Sequence, residues 1–95
     1  MTQLEVMLNE REATHGSFAL NAKISGLLKQ VIRRSPGYDA LTEVQREALD
    51  LMCTKFSRVL SGQTIHKDHW LDVSGYAQLC VREIENWEKE ANDLG

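Results

Sequence analysis

The chain has 95 residues, 42% apolar and 26% charged, with a formal net charge of −3 at pH 7. That length gives a single domain, 1–95, with one modest core, and the apolar fraction excludes general disorder. No basic block is longer than Arg33-Arg34, which excludes an extended nucleic acid as partner, and the short apolar runs and polar start Met1-Thr2-Gln3 exclude a transmembrane span or signal peptide, so a cytoplasmic protein is expected.

Helical periodicity recurs in four segments, and no run of alternating Val, Ile and Thr suggests a strand. The first segment, about Leu4 to Ala13, places Leu4, Met7, Leu8 and Arg11 on one face. It stops at Thr14-His15-Gly16, where Gly suits a C-terminal cap and Ser17 can cap the next helix. The second runs from about Phe18 to Arg33 on a stripe of Leu20, Ile24, Leu27, Leu28 and Val31, and Ser35-Pro36-Gly37 breaks it. The third opens on Thr42-Glu43-Val44-Gln45, a capping box in which the Thr and Gln side chains reciprocally satisfy orphan amides. It ends at Ser61-Gly62. The fourth begins near His66 or Lys67 and runs to about Ala91, with Val73, Ala77, Cys80, Ile84 and Trp87 as its seam. Gly75 lies inside it, where glycine costs about 1 kcal/mol relative to Ala and usually marks close approach of a backbone or a ligand. Cys53 and Cys80, far apart in sequence, read as buried thiols rather than a disulfide or a metal pair. The expected fold is all-α, a compact four-helix bundle. A core of this size also leaves apolar surface for a second copy, so a homo-oligomer is expected.

Chemistry is suggested where polar residues fall on apolar faces. In the third segment Val44, Ala48, Leu51, Met52, Phe56 and Val59 form the apolar arc. Lys55 falls inside it, Glu47 and Arg58 on its edge, and Asp50 on the side of Glu47. Lys55 can snorkel to water, with Glu47 pairing Arg58 or Arg46, or it can meet an anion. In the fourth segment His69 and Tyr76 sit at the edge of the seam with Asp72 beside them and Asp68 one step further out. Asp68 and Asp72 are one turn apart and repel each other unless a cation or a proton lies between them. Hard oxygen donors of this kind favour Mg²⁺ or Mn²⁺ over zinc. A carboxylate pair on each of two helices can close into a metal-binding wall, and Lys55 and Arg58 would then face phosphate oxygens. Arg11 and His15 could line the same cleft, or could be cations that complement the end of the first helix.

Glu10-Arg11, Thr14-His15-Gly16-Ser17-Phe18, Asn21-Ala22, Glu47-Ala48-Leu49-Asp50, Lys55-Phe56-Ser57-Arg58 and Asp68-His69-Trp70-Leu71-Asp72-Val73-Ser74-Gly75-Tyr76-Ala77 together resemble a family of small phage and prophage proteins of unassigned function. That family is similar to the phage dATP/dGTP diphosphohydrolases and, more distantly, to the MazG-type all-α nucleoside triphosphate pyrophosphatases. The resemblance implies an oligomeric, MazG-like helical bundle that uses Mg²⁺ (or Mn²⁺) to cleave a purine (deoxy)nucleoside triphosphate between its α and β phosphates. Glu47 and Asp50 match the first acidic pair, and Asp72 ends the second. His69 stands where that second pair has Glu, and Asp68 is the substitute one position earlier. The implied metal ligands are therefore Glu47, Asp50, Asp68 and Asp72, with Glu47 and Asp72 catalytic. Lys55 and Arg58 would bind phosphate, and Arg11, His15, His69 and Tyr76 the rest of the nucleotide. The alternative is a non-catalytic helical module of phage type that binds a nucleotide or a host protein.

Overall fold

Local capping chemistry sets most of the helix boundaries. In a computed structural model the chain forms α1 (Gln3–His15), α2 (Phe18–Arg33), α3 (Glu43–Leu60) and α4 (Lys67–Leu94), with a short 3-10 turn at Tyr38–Ala40 after the Pro36-Gly37 break. The structure describes every residue except Gly16, and only the backbone at residues 12–15. Among the described residues there is no strand, and no helix is long and apolar enough to cross a membrane.

Ser17 caps α2, its hydroxyl accepting from the Leu20 amide at 3.3 Å. The capping box of α3 is complete: Thr42 Oγ1 accepts from the Gln45 amide at 3.2 Å, and the Thr42 amide donates to Gln45 Oε1 at 3.1 Å. The same Thr42 hydroxyl donates to Glu83 Oε1 at 2.7 Å, so the cap of α3 is also a tie to α4. Gly62 supplies the positive φ (136°) of the α3–α4 turn, a backbone state that costs glycine little. Arg46 fixes the α2–α3 link by donating to the carbonyls of Tyr38 and Asp39, both at 3.2 Å, with its guanidinium 4.5 Å from the Tyr38 ring centroid.

α3 lies between α2 and α4, and these two contacts carry most of the helix packing among the described residues. The α2 side is joined by polar pairs. Ser57 Oγ bonds to Asn21 Oδ1, Lys29 Nζ donates to Thr54 Oγ1 at 3.2 Å, and Arg33 meets Asp50 at 3.2 Å. The α4 side buries or half-buries His69, Asp72, Val73, Tyr76, Cys80 and Glu83, and Phe56 meets Trp70 with ring centroids 6.3 Å apart. The seam is therefore rotated from the expected one: Ala77, Ile84 and Trp87 are exposed, and the polar edge carrying His69 and Tyr76 faces α3.

The interior is small. Among the described residues Ala48 and Cys53 are the buried apolar ones, and Ser57, Gln63 and His69 the buried polar ones. Cys53 and Cys80 are free thiols, the first buried and the second half-buried. Burial raises the Cys53 thiol pKa, so it remains a packed, protonated group. The radius of gyration is 17.7 Å and the long axis 67 Å. A compact chain of this length would have a radius of about 12 Å. From Ile84 onward every α4 residue is exposed, because α3 begins at the level of Glu83.

Candidate functional site

Packing on two sides gives α3 its polar strip. Asp50, Thr54, Glu47, Arg58 and Lys55 fall within an arc of about 140° around the helix. One edge of that arc, Asp50 and Thr54, is held by α2 through Arg33 and Lys29. The other edge, Lys55, is held by α4: its ammonium lies 2.8 Å from Asp72 Oδ2, the lysine side chain 19% exposed and the carboxylate 45%. Glu47 and Arg58 lie between the two edges.

Lys55 therefore does not snorkel. It is the cation that the Asp68/Asp72 repulsion calls for, and it takes Asp72 alone. Asp68, near the start of α4, is exposed. Glu47 is exposed and has no ion pair among the described residues, because Arg46 is committed to the loop carbonyls. The other expected acid, Asp50, raises the pKa of Arg33 by its charge and its hydrogen bond.

His69 is buried at 8% exposure, and its Nε2 bonds to Gln63 Oε1 while Nδ1 has no partner among the described residues. His66 is its aromatic neighbour, with centroids 5.7 Å apart. Burial lowers the pKa of His69, and the charges of Lys55, Arg58 and His66 lower it further against the opposing pull of Asp72. The ring is thus held neutral and inward, closing the α3–α4 turn. Tyr76 is half-buried at the α3–α4 contact, two turns of helix on. Arg11 is exposed on α1, and His15 lies outside the residues whose side chains are described. No described backbone approaches Gly75, since among the described residues nothing stands within 4 Å of where a Cβ would be.

The strip thus brings Lys55, Arg58, Glu47, Asp50 and Asp72 to one side of the molecule. Among the described residues no three His, Cys, Asp or Glu side chains converge as a set able to hold a metal ion. Two of the four acids expected to be ligands are neutralised by Arg33 and Lys55. The donor chemistry suits a hard cation, but as folded the acids are held apart by their own ion pairs.

Comparison with protein-family models, with curated proteins and with solved structures finds no match.

Proposed function

We propose that this chain is a Mg²⁺-dependent nucleoside triphosphate pyrophosphohydrolase of phage type, acting on a purine (deoxy)nucleotide. The observation that carries the proposal is the Lys55–Asp72 contact, which sets the second acidic position of α4 against the α3 strip that carries Glu47, Asp50 and Arg58. A triphosphate arriving on that strip offers Lys55 and Arg58 stronger anionic partners than a single half-exposed carboxylate. Lys55 moves to the phosphate oxygens and releases Asp72. Glu47, Asp50, Asp68 and Asp72 are the residues that would hold the cation, which must arrive with the nucleotide because the unliganded acids do not converge. When bound, the cation supplies charge neutralisation at the phosphoanhydride. Glu47, exposed and without an ion pair among the described residues, also orients the attacking water and takes its proton as general base. Water oxygen bonds to the α-phosphorus, the α–β bridging bond breaks, and pyrophosphate leaves with a nucleoside monophosphate as the second product.

Incubation of the purified protein with a nucleotide panel and Mg²⁺ or Mn²⁺ tests this. The expected result is pyrophosphate release from a purine triphosphate, lost in Glu47→Gln and Asp72→Asn. No release from any nucleotide would remove the catalytic reading.

A second reading has its own observation. His69, which replaces the glutamate of the resembling families, is turned inward onto Gln63 and held neutral, and so serves packing rather than metal binding. On that basis the strip binds a nucleotide or a host protein without turnover, and nucleotide affinity without pyrophosphate release is its signature.

A further inference from the structure

Two surfaces on different helices complement each other and cannot meet within one chain. The first is the outer face of α2, where Lys23, Gly26, Leu27, Gln30, Arg33 and Arg34 line an open recess of about 610 Å³. Leu20, Leu27 and Val31 form an exposed apolar ridge along it, Val31 being 68% exposed. No carboxylate occurs between Glu12 and Asp39, so this helix is purely cationic, and Lys23 and Arg34 have no ion pair among the described residues. The second surface is the α4 tail, residues 84–94. Ile84, Trp87, Ala91 and Leu94 make an apolar stripe at helical spacing, flanked by Glu88 and Glu90, and Leu94 is 90% exposed.

Topology keeps the two apart in one molecule. α2 and α4 flank α3 on different sides and run in the same direction, so the tail points away from its own α2. A two-fold axis perpendicular to the helices reverses the direction of the partner's tail. The tail is about 16 Å of helix, and the recess from Lys23 to Arg34 is about 17 Å.

We propose that a second copy of this chain occupies the recess. Each α4 tail lies antiparallel on the partner's α2, its Trp87 stripe on the Leu27 ridge, with Glu88 and Glu90 facing Lys23 and Arg34. The area agrees. The chain exposes 7203 Å², whereas a compact chain of 10.8 kDa exposes about 5,500 Å². Part of that excess lies on the α2 face and the α4 tail, whose exposed apolar residues a second copy would cover. This inference is independent of the catalytic proposal.

Sedimentation velocity on the full chain at micromolar concentration tests it, beside two charge reversals, Lys23→Glu with Arg34→Glu and Glu88→Lys with Glu90→Lys. Wild type should sediment as a dimer, and each reversal should weaken association by at least about tenfold. Combining all four substitutions in one chain should restore the dimer with the signs exchanged. A monomeric wild type, as when α1 of the same chain covers the recess, overturns the proposal. So does a dimer indifferent to both reversals, or a combined variant no better than either pair. Carbodiimide cross-linking of wild type gives a readout without variants: Lys23 should join a tail carboxylate of a different, isotopically labelled copy. Tail cross-links confined to single chains overturn the inference.

Discussion

The Lys55–Asp72 contact gives the sharpest prediction because its two halves differ in exposure. Asp72→Asn leaves the ammonium, four-fifths buried, without its anion, whereas Lys55→Met replaces the stem with apolar volume and leaves a carboxylate that is nearly half exposed. The first change should destabilise by about 1–2 kcal/mol, an unpaired buried charge discounted for the remaining solvent access. The second should cost under about 1 kcal/mol. For a chain this size, 1 kcal/mol is about 4–8 °C in Tm. Urea unfolding of wild type, both single variants and the double variant gives the coupling directly, with an expected value of about 1 kcal/mol that shrinks in high salt. A coupling of zero, or an Asp72→Asn protein more stable than wild type, would mean that Asp72 feels the repulsion of Asp68 and not the attraction of Lys55.

Thr42→Ala removes both the α3 cap and the bond to Glu83, and should cost about 1–2 kcal/mol in urea unfolding, with Thr42→Ser recovering most of it. Gly75→Ala should stabilise by about 0.5–1 kcal/mol in the same assay, because an added methyl meets nothing and the helix gains propensity. The lowered pKa of His69 means that the unfolded chain binds its proton more readily than the folded one. Its contribution is therefore fully present above the unfolded value of about 6.5 and is lost as pH falls through the lower folded value, a slope that His69→Gln should reduce in a series of melts across that range.

Helix boundaries were legible wherever a side chain closes the end locally. Ser17, Thr42 with Gln45, Pro36-Gly37 and Gly62 each act within a few residues, so sequence alone carries the signal. α4 runs to Leu94, three residues past the expected Ala91, with Gly95 as its C-cap and the Gly95 amide donating to the Ala91 carbonyl. Periodicity also placed Lys55 against its apolar surroundings, but a wheel assigns faces and not partners, so the choice of Asp72 came only from the fold. The α2 side of α3 was hidden for a different reason. Its contacts, Asn21 to Ser57, Lys29 to Thr54 and Arg33 to Asp50, are polar, and a hydrophobic pattern is blind to them. The complementary polar types at helical spacing on both segments were the available clue. The α4 seam was misplaced by about 50° around the helix for the same reason: His69, Asp72 and Tyr76 are inward with Val73 and Cys80, while Ala77 contributes too little apolar area to compete.

Both functional readings that involve a nucleotide require that the α3 strip accept a triphosphate through Lys55 and Arg58. Calorimetric titration with a non-hydrolysable purine triphosphate in the presence of Mg²⁺ measures this without depending on turnover. Wild type should bind, and Lys55→Met should remain folded and bind about 10- to 150-fold more weakly, the loss of one charge-assisted contact. Equal affinity in the two proteins would remove Lys55 from the site, and no binding by wild type would contradict the nucleotide account altogether.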